Sequence, residues 1–199
     1  MDFGDARLNL AAFQANYDDI QLIFRQGVVP LLFNAGAARM RGFEAEASYH
    51  PRGGFMFDAG MSILDDDIQS ITAVPGATAT VAPGDDLPLT PGFQGNFSIA
   101  YEFPLSEGYT LTPRFDGSYN SKVTFITGSV PEIEEDGYFI ANASIELGIN
   151  DRWSVTAGVV NLFDEVYLIQ GNASLATLGY AERIYARPQN WYVQVSAEF

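Results

Sequence analysis

Residues 189–199 alternate without interruption. Trp191, Val193, Val195, Ala197 and Phe199 fall on one parity, and Tyr192, Gln194, Ser196 and Glu198 on the other. A side-chain period of two places these groups on opposite faces of a strand, one apolar and one mostly polar. The same alternation recurs along the chain. Phe43, Ala45, Ala47 and Tyr49 oppose Gly42, Glu44, Glu46 and Ser48, and after the turn Pro51-Arg52-Gly53-Gly54 the face continues through Phe55, Phe57, Ala59, Met61 and Ile63. Phe93, Phe97, Ile99, Tyr101 and Phe103 follow, then Tyr109, Leu111, Phe115 and Tyr119. Phe139 to Leu147 and Trp153 to Val159 repeat the pattern on either side of Asn150-Asp151. With residues 7–24 read as a first long strand carrying a register break, and residues 26–38 as a loop, the chain is expected to be all-β, with about eight strands.

The connections between these strands alternate long and short. Short turns lie at Pro51–Gly54, Pro104–Gly108 and Asn150-Asp151, and long connections are expected at 27–38, 65–90, 123–136 and 165–188. A soluble sandwich has no reason to sort its loops by end. A transmembrane β-barrel does, with short turns on the periplasmic side and long loops outside. The strand lengths suit a tilted crossing of ~9–11 residues, and no apolar run reaches the ~18 residues of a membrane helix. Tyr49, Phe55, Phe57, Tyr101, Phe103, Tyr109, Trp153 and Phe199 gather towards the short-turn ends, as an interfacial girdle would.

Charge then bears on barrel size. The polar parity carries Glu44, Glu46, Asp58, Glu102, Asp116, Glu146 and Glu198, with Arg114 as the clear counter-charge. A closed barrel of ~8 strands has an interior just filled by side chains. Unpaired carboxylates there would each cost several kcal/mol or be forced to protonate. A wide, wet or plugged lumen avoids that cost, so the chain reads as an arc of a larger barrel with open first and last edges. The acid runs Asp65-Asp66-Asp67, Asp85-Asp86 and Glu132 to Asp136 read as solvated loops.

Other chemistry is sparse. The formal charge of −15, from 10 Lys+Arg against 25 Asp+Glu, argues against a nucleic-acid surface. No cysteine is available for a disulfide or thiolate metal site. The one histidine, His50, abuts the Pro51 turn with no Ser or Cys neighbour of a hydrolytic pattern. No phosphate-cradling Gly-Lys-Ser/Thr loop occurs, and Asp65–Asp67 lack the spacing of a calcium loop. No enzyme, cofactor or resident metal is expected; divalent cations bridging these acids to lipopolysaccharide remain an option.

Four segments together carry a family likeness: Leu8 to Phe13 running to Tyr17-Asp18-Asp19-Ile20-Gln21, Arg41-Gly42-Phe43-Glu44-Ala45-Glu46-Ala47, Val160-Asn161-Leu162-Phe163-Asp164-Glu165-Val166-Tyr167, and Ala186-Arg187-Pro188 through Phe199. In this order the chain resembles the C-terminal barrel portion of TonB-dependent outer-membrane receptors over essentially its whole length. The resemblance implies that residues 1–199 are the final strands of a barrel of roughly 22 strands. It also implies that the signal peptide, the plug domain and the TonB-engaging segment lie elsewhere. Trp191, Val193, Val195, Ala197 and Phe199 match the terminal signal read by the barrel-assembly machinery. Glu44, Glu46, Asp58, Glu102, Arg114, Asp116 and Glu146 become lumen-facing candidates. Outer-membrane lipid and lipopolysaccharide, the plug and, through it, TonB become the partners, with a small molecule or oligosaccharide as substrate: siderophore-iron, cobalamin or sugar. Two rivals stay open, a stand-alone eight-stranded barrel with a structural or adhesive role and a soluble lipocalin-like binder.

Overall fold

The computed structural model describes residues 4–26, 29–34, 36–77, 82–126, 130–150 and 152–198. The alternating segments form one antiparallel meander, here labelled β1 (Ala6–Tyr17), β2 (Gly36–Tyr49), β3 (Phe55–Ile71), β4 (Phe93–Tyr101), β5 (Tyr109–Asn120), β6 (Tyr138–Ile149), β7 (Trp153–Val160) and β8 (Asn190–Ala197). A short continuation of β4, Phe103–Ser106, pairs with the start of β5. Each strand pairs with its sequence neighbours, and among the described residues β1 pairs only with β2 and β8 only with β7. The sheet is therefore open, not shut into a ring of eight.

Register fixes the two faces, because residues directly paired in an antiparallel ladder point the same way. One row runs Tyr49–Phe57–Ile99–Phe115–Ala143–Val159–Trp191 across seven strands. Another runs Leu8–Ala47–Ala59–Phe97 before meeting Gly117. Every row on this face is apolar from Phe55 to Ile63 along β3, and none of the described residues covers it. Trp191 and Val193 are each 73% exposed and Val195 62%. A soluble β protein would turn this face into its core. Among the described residues the buried hydrophobic cluster, Leu22, Phe24 and Ile68, sits elsewhere, at the end of the sheet that carries the long connections.

The apolar band has a definite upper edge. Directly above the Phe43–Ile63 pair the same column continues as Arg41 opposite Asp65 and Arg39 opposite Asp67. Both pairs are salt-bridged, Arg39 to Asp67 at 3.1 Å. Phe55 to Ile63 thus supplies a crossing close to the ~9–11 residues a tilted strand needs. The aromatic side chains of the short-turn end meet in pairs, with Tyr49–Phe55 ring centres 6.2 Å apart and Tyr101–Phe103 4.3 Å apart.

Three boundaries differ from the sequence reading. The expected strand over 7–24 is two elements: β1 stops at Tyr17, and Asp18-Asp19 turns the chain, with Asp19 at φ +55. Asp tolerates that conformation by bonding to nearby backbone. Gln21–Gln26 then pairs with Val29–Asn34 as a separate hairpin, so the expected loop over 26–38 holds the second strand of that hairpin and the first three residues of β2. Asp65–Asp67 belong to β3 rather than to a loop, because Arg39 and Arg41 on the neighbouring strand neutralise two of them. A run of three aspartates disfavours a strand on propensity alone; the cross-strand pairs reverse that. Asp151 and Phe199 lie outside the described residues.

Candidate functional site

Two surfaces carry polar chemistry, the second face of the sheet and the end bearing the long connections. On the polar face, Arg7, Ser48, Asp58, Ser98, Asp116 and Asn142 form one row, and Asn9, Glu46, Gly60, Asn96 and Ser118 the next. Strand pairing brings Glu46, Asp58, Asp116 and Arg114 into neighbouring rows. Asn9 Nδ2 donates to Glu46 Oε2 at 3.3 Å, and Arg114 holds Asp116 at 2.8 Å. A groove of about 320 Å³ opens here, lined by Arg7, Glu46, Asp58 and Asn96 among others. Glu146 lies further along, accepting from the Thr156 hydroxyl at 3.0 Å. Glu44 sits one row nearer the long connections, opposite Ala11 and Ser62. Glu102 stands apart at the β4 break, its N–H donating to the Gly54 carbonyl at 2.8 Å.

This face is less one-sided in charge than the sequence suggested. Arg7 joins the row of Asp58, and His50 Nε2 lies 3.1 Å from both Asp58 carboxylate oxygens. Neither was legible as a counter-charge, because β1 has mixed parity and His50 follows the end of β2. The mixed parity also has a reason. Phe13 lies on the polar face, its ring directly over Gly42, where any Cβ would stand 2.4 Å from the ring. Gly158 is covered in the same way by Tyr192 on β8.

At the other end the long connections pack on one another. Asp66, on the inward side of β3 above the apolar band and outside the membrane-spanning part of that strand, is 7% exposed. Its Oδ2 accepts from the Leu87 N–H at 2.5 Å and the Thr90 hydroxyl at 3.1 Å. Burial pushes its carboxyl above the ordinary carboxylate range, and those two hydrogen bonds offset part of the rise. Asn161, at φ +56 and 2% exposed, anchors the last long connection. Its side chain accepts from the Glu165 N–H and donates to the Glu165 carbonyl, both at 2.8 Å, while its own N–H donates to Asn142 Oδ1 at 3.0 Å. Asp164 Oδ1 accepts from the Gln189 N–H at 2.8 Å. Through these bonds Asn161 and Asp164 act as turn and cap formers.

That connection, expected as a loop over 165–188, contains a hairpin, Leu168–Ala173 with Ala181–Tyr185. Its two faces do different things. On one, Gly171 presses against the buried Ile133 of the turn Pro131–Ile133, and Arg183 Nε donates to the Glu132 carbonyl. On the other, Gln170, Asn172, Glu182 and Ile184 line a cavity of about 460 Å³ whose far side includes Leu89 and Phe125. A neighbouring groove holds Asp85, Asp86 and Glu134, with Lys122 bound to Glu134 at 2.6 Å. The Glu134 carboxylate holds that ammonium above its ordinary pKa range. Among the described residues no cluster of three or more His, Cys, Asp or Glu side chains is arranged to hold a metal ion.

The family model for the TonB dependent receptor-like β-barrel matches residues 1–162. No curated protein matches the sequence. Among solved structures, the ferric yersiniabactin uptake receptor FyuA from Yersinia pestis is similar over 100% of this chain and 28% of its own, with a TM-score of 0.80 at 20% identity. The siderophore receptor PiuA from Acinetobacter baumannii is similar over 97% of this chain and 26% of its own, TM-score 0.72, 18% identity. The copper transporter OprC is similar over 100% and 29%, TM-score 0.73, 16% identity. The chain thus spans little more than a quarter of these proteins, and the likeness at such identity concerns the fold.

Proposed function

The chain belongs to the TonB dependent receptor-like, β-barrel family, and from that premise we propose that it forms an arc of the wall and outer vestibule of an outer-membrane receptor importing a scarce nutrient. The observation that carries this is the bare apolar face, bounded above by the Arg41–Asp65 and Arg39–Asp67 pairs, with every long connection at that upper end. An apolar surface of this width on a soluble protein would be covered; facing lipid it needs no cover. The long connections then lie outside, where loops on a rigid scaffold carry recognition. The residues on the opposite face, Glu44, Glu46, Asp58, Arg114, Asp116 and Glu146, line the lumen, with Glu102 at its periplasmic rim. There they contact the plug or passing substrate. Trp191, Val193, Val195 and Ala197 present the terminal strand to the barrel-assembly machinery. The chain serves as the C-terminal part of the barrel, and its role is transport rather than catalysis.

Siderophore-iron is the leading cargo, supported by the ferric-siderophore receptors among its structural relatives; cobalamin and oligosaccharides are the other classes. The open sheet edges do not favour a stand-alone eight-stranded barrel. The test is a graft. Residues 1–199 replace the matching strands of a related ferric-siderophore receptor in a strain lacking its own. Assembly into the outer membrane with TonB-dependent uptake of labelled ferric complex supports the proposal. Failure of the grafted chain to enter the outer membrane, with wild-type levels of synthesis, counts against it.

A further inference from the structure

The cavity between the outer connections is a built surface that the barrel wall itself does not require. Its apolar side remains open: Leu89 is 63% exposed and Ile184 50%. Gln170, Asn172 and Glu182 give it a polar side on the same hairpin face. That combination, apolar walls with a few placed polar groups, is how small-molecule sites are made. Charge then narrows what can enter. The hairpin turns Glu182 into the cavity, while Arg183, one residue on, faces the other way and is spent on the Glu132 carbonyl. Among the described lining residues there is no Lys or Arg, and Lys122 of the adjoining groove is bound by Glu134. Asp85 and Asp86 line the adjoining groove.

We infer that this cavity takes an amphipathic small molecule of zero or positive net charge and discriminates against polyanionic chelates. The inference rests on the uptake proposal and deepens it by naming a charge class of substrate. A trianionic ligand would meet the exposed Glu182 carboxylate with no Lys or Arg among the described lining residues to offset it, and like charges repel. A neutral or ammonium-bearing ligand meets no such repulsion and gains the carboxylate as a hydrogen-bond acceptor.

The hybrid receptor carrying residues 1–199, assembled as in the graft above and purified in detergent, is titrated with three ferric chelates of similar size: a trianionic tris-catecholate, a neutral tris-hydroxamate and a tris-hydroxamate bearing one ammonium. The neutral and cationic complexes are expected to bind on the order of tenfold tighter than the trianion, or more. Glu182→Lys should reverse that order and Glu182→Gln should narrow it. Ile184→Ser should weaken all three complexes without reordering them. Far-UV circular dichroism checks that each variant keeps its strands. Trianion binding as tight as the others, or an order unmoved in both Glu182 variants, overturns the charge assignment while leaving the uptake proposal standing. Binding of none of the three by an assembled hybrid overturns the assignment of this cavity, and the uptake proposal is then decided by the graft's transport alone.

Discussion

Val193 offers a direct way to weigh the lipid-facing assignment. It lies in the middle of β8, pairs with Ala157 and is 73% exposed on the apolar face. Burying a valine in an apolar medium is worth roughly 1.5 kcal/mol, so about 1 kcal/mol follows from the exposed part of this side chain. An arginine at the bilayer midplane of a barrel adds about 2–4 kcal/mol. Val193→Arg should therefore cost about 3–5 kcal/mol, a change of roughly 10²–10⁴-fold in the folding equilibrium. Two controls share the strand. Ala197→Arg, at its end on the same face, should cost only about 0–1 kcal/mol because the guanidinium reaches the interface. Gln194→Arg points to the opposite face, towards Thr156 and the Glu146 row, and should be nearly neutral. Reversible guanidinium unfolding of the chain in lipid vesicles, followed by tryptophan fluorescence, measures all three. Equal costs at 193 and 197, or a larger cost at 194 than at 193, would refute the reasoning, since a protein-covered core has no depth gradient.

Further outcomes concern the outer end. Asp66→Ala should weaken docking of residues 85–90 by about 1–3 kcal/mol through the orphaned Leu87 N–H, whereas Asp66→Asn, which keeps an acceptor, should cost less; hydrogen exchange at Leu87 reads both. Because the folded-state pKa of Asp66 is raised, the native form binds its proton more tightly than the unfolded one. Protection at Leu87 should thus grow as pH falls from neutral through the raised value, and level off below the ordinary carboxylate value. Gly171→Ala would put a Cβ 2.7 Å from Ile133 Cβ, a side chain 1% exposed with no room to yield. Overpacking of that kind costs about 1–3 kcal/mol, and limited proteolysis should cut the 168–185 hairpin faster. Asn161→Ala removes bonds to both Glu165 backbone groups and places alanine at φ +56; a loss of about 2–4 kcal/mol is expected on thermal unfolding.

The strand faces were legible because alternation has only one period and a slip of one residue would invert every side chain. The short turns were legible from Pro51 to Gly54 and Asn150-Asp151 for similarly local reasons. What escaped were features decided by partners distant in sequence. Asp65–Asp67 looked like a loop because nothing local marks Arg39 and Arg41 as their cross-strand neighbours. Phe13 looked misplaced until Gly42 stood beneath it. The hairpins at 21–34 and 168–185 escaped because their short strands alternate weakly and fold against other loops. The outer cavity had no sequence signal, since Leu89, Phe125 and Ile184 come from three separate connections.

The chain carries its own probes of which way the apolar face looks. Its two tryptophans, Trp153 and Trp191, both lie on that face. In vesicles containing lipids brominated near the headgroup end of the acyl chain, both should be strongly quenched and shielded from aqueous acrylamide relative to free tryptophan. A tryptophan moved to the polar face by Asn96→Trp, with the native pair changed to Phe, should show the opposite. Native tryptophans indifferent to the brominated lipid and open to acrylamide would contradict the account at its centre.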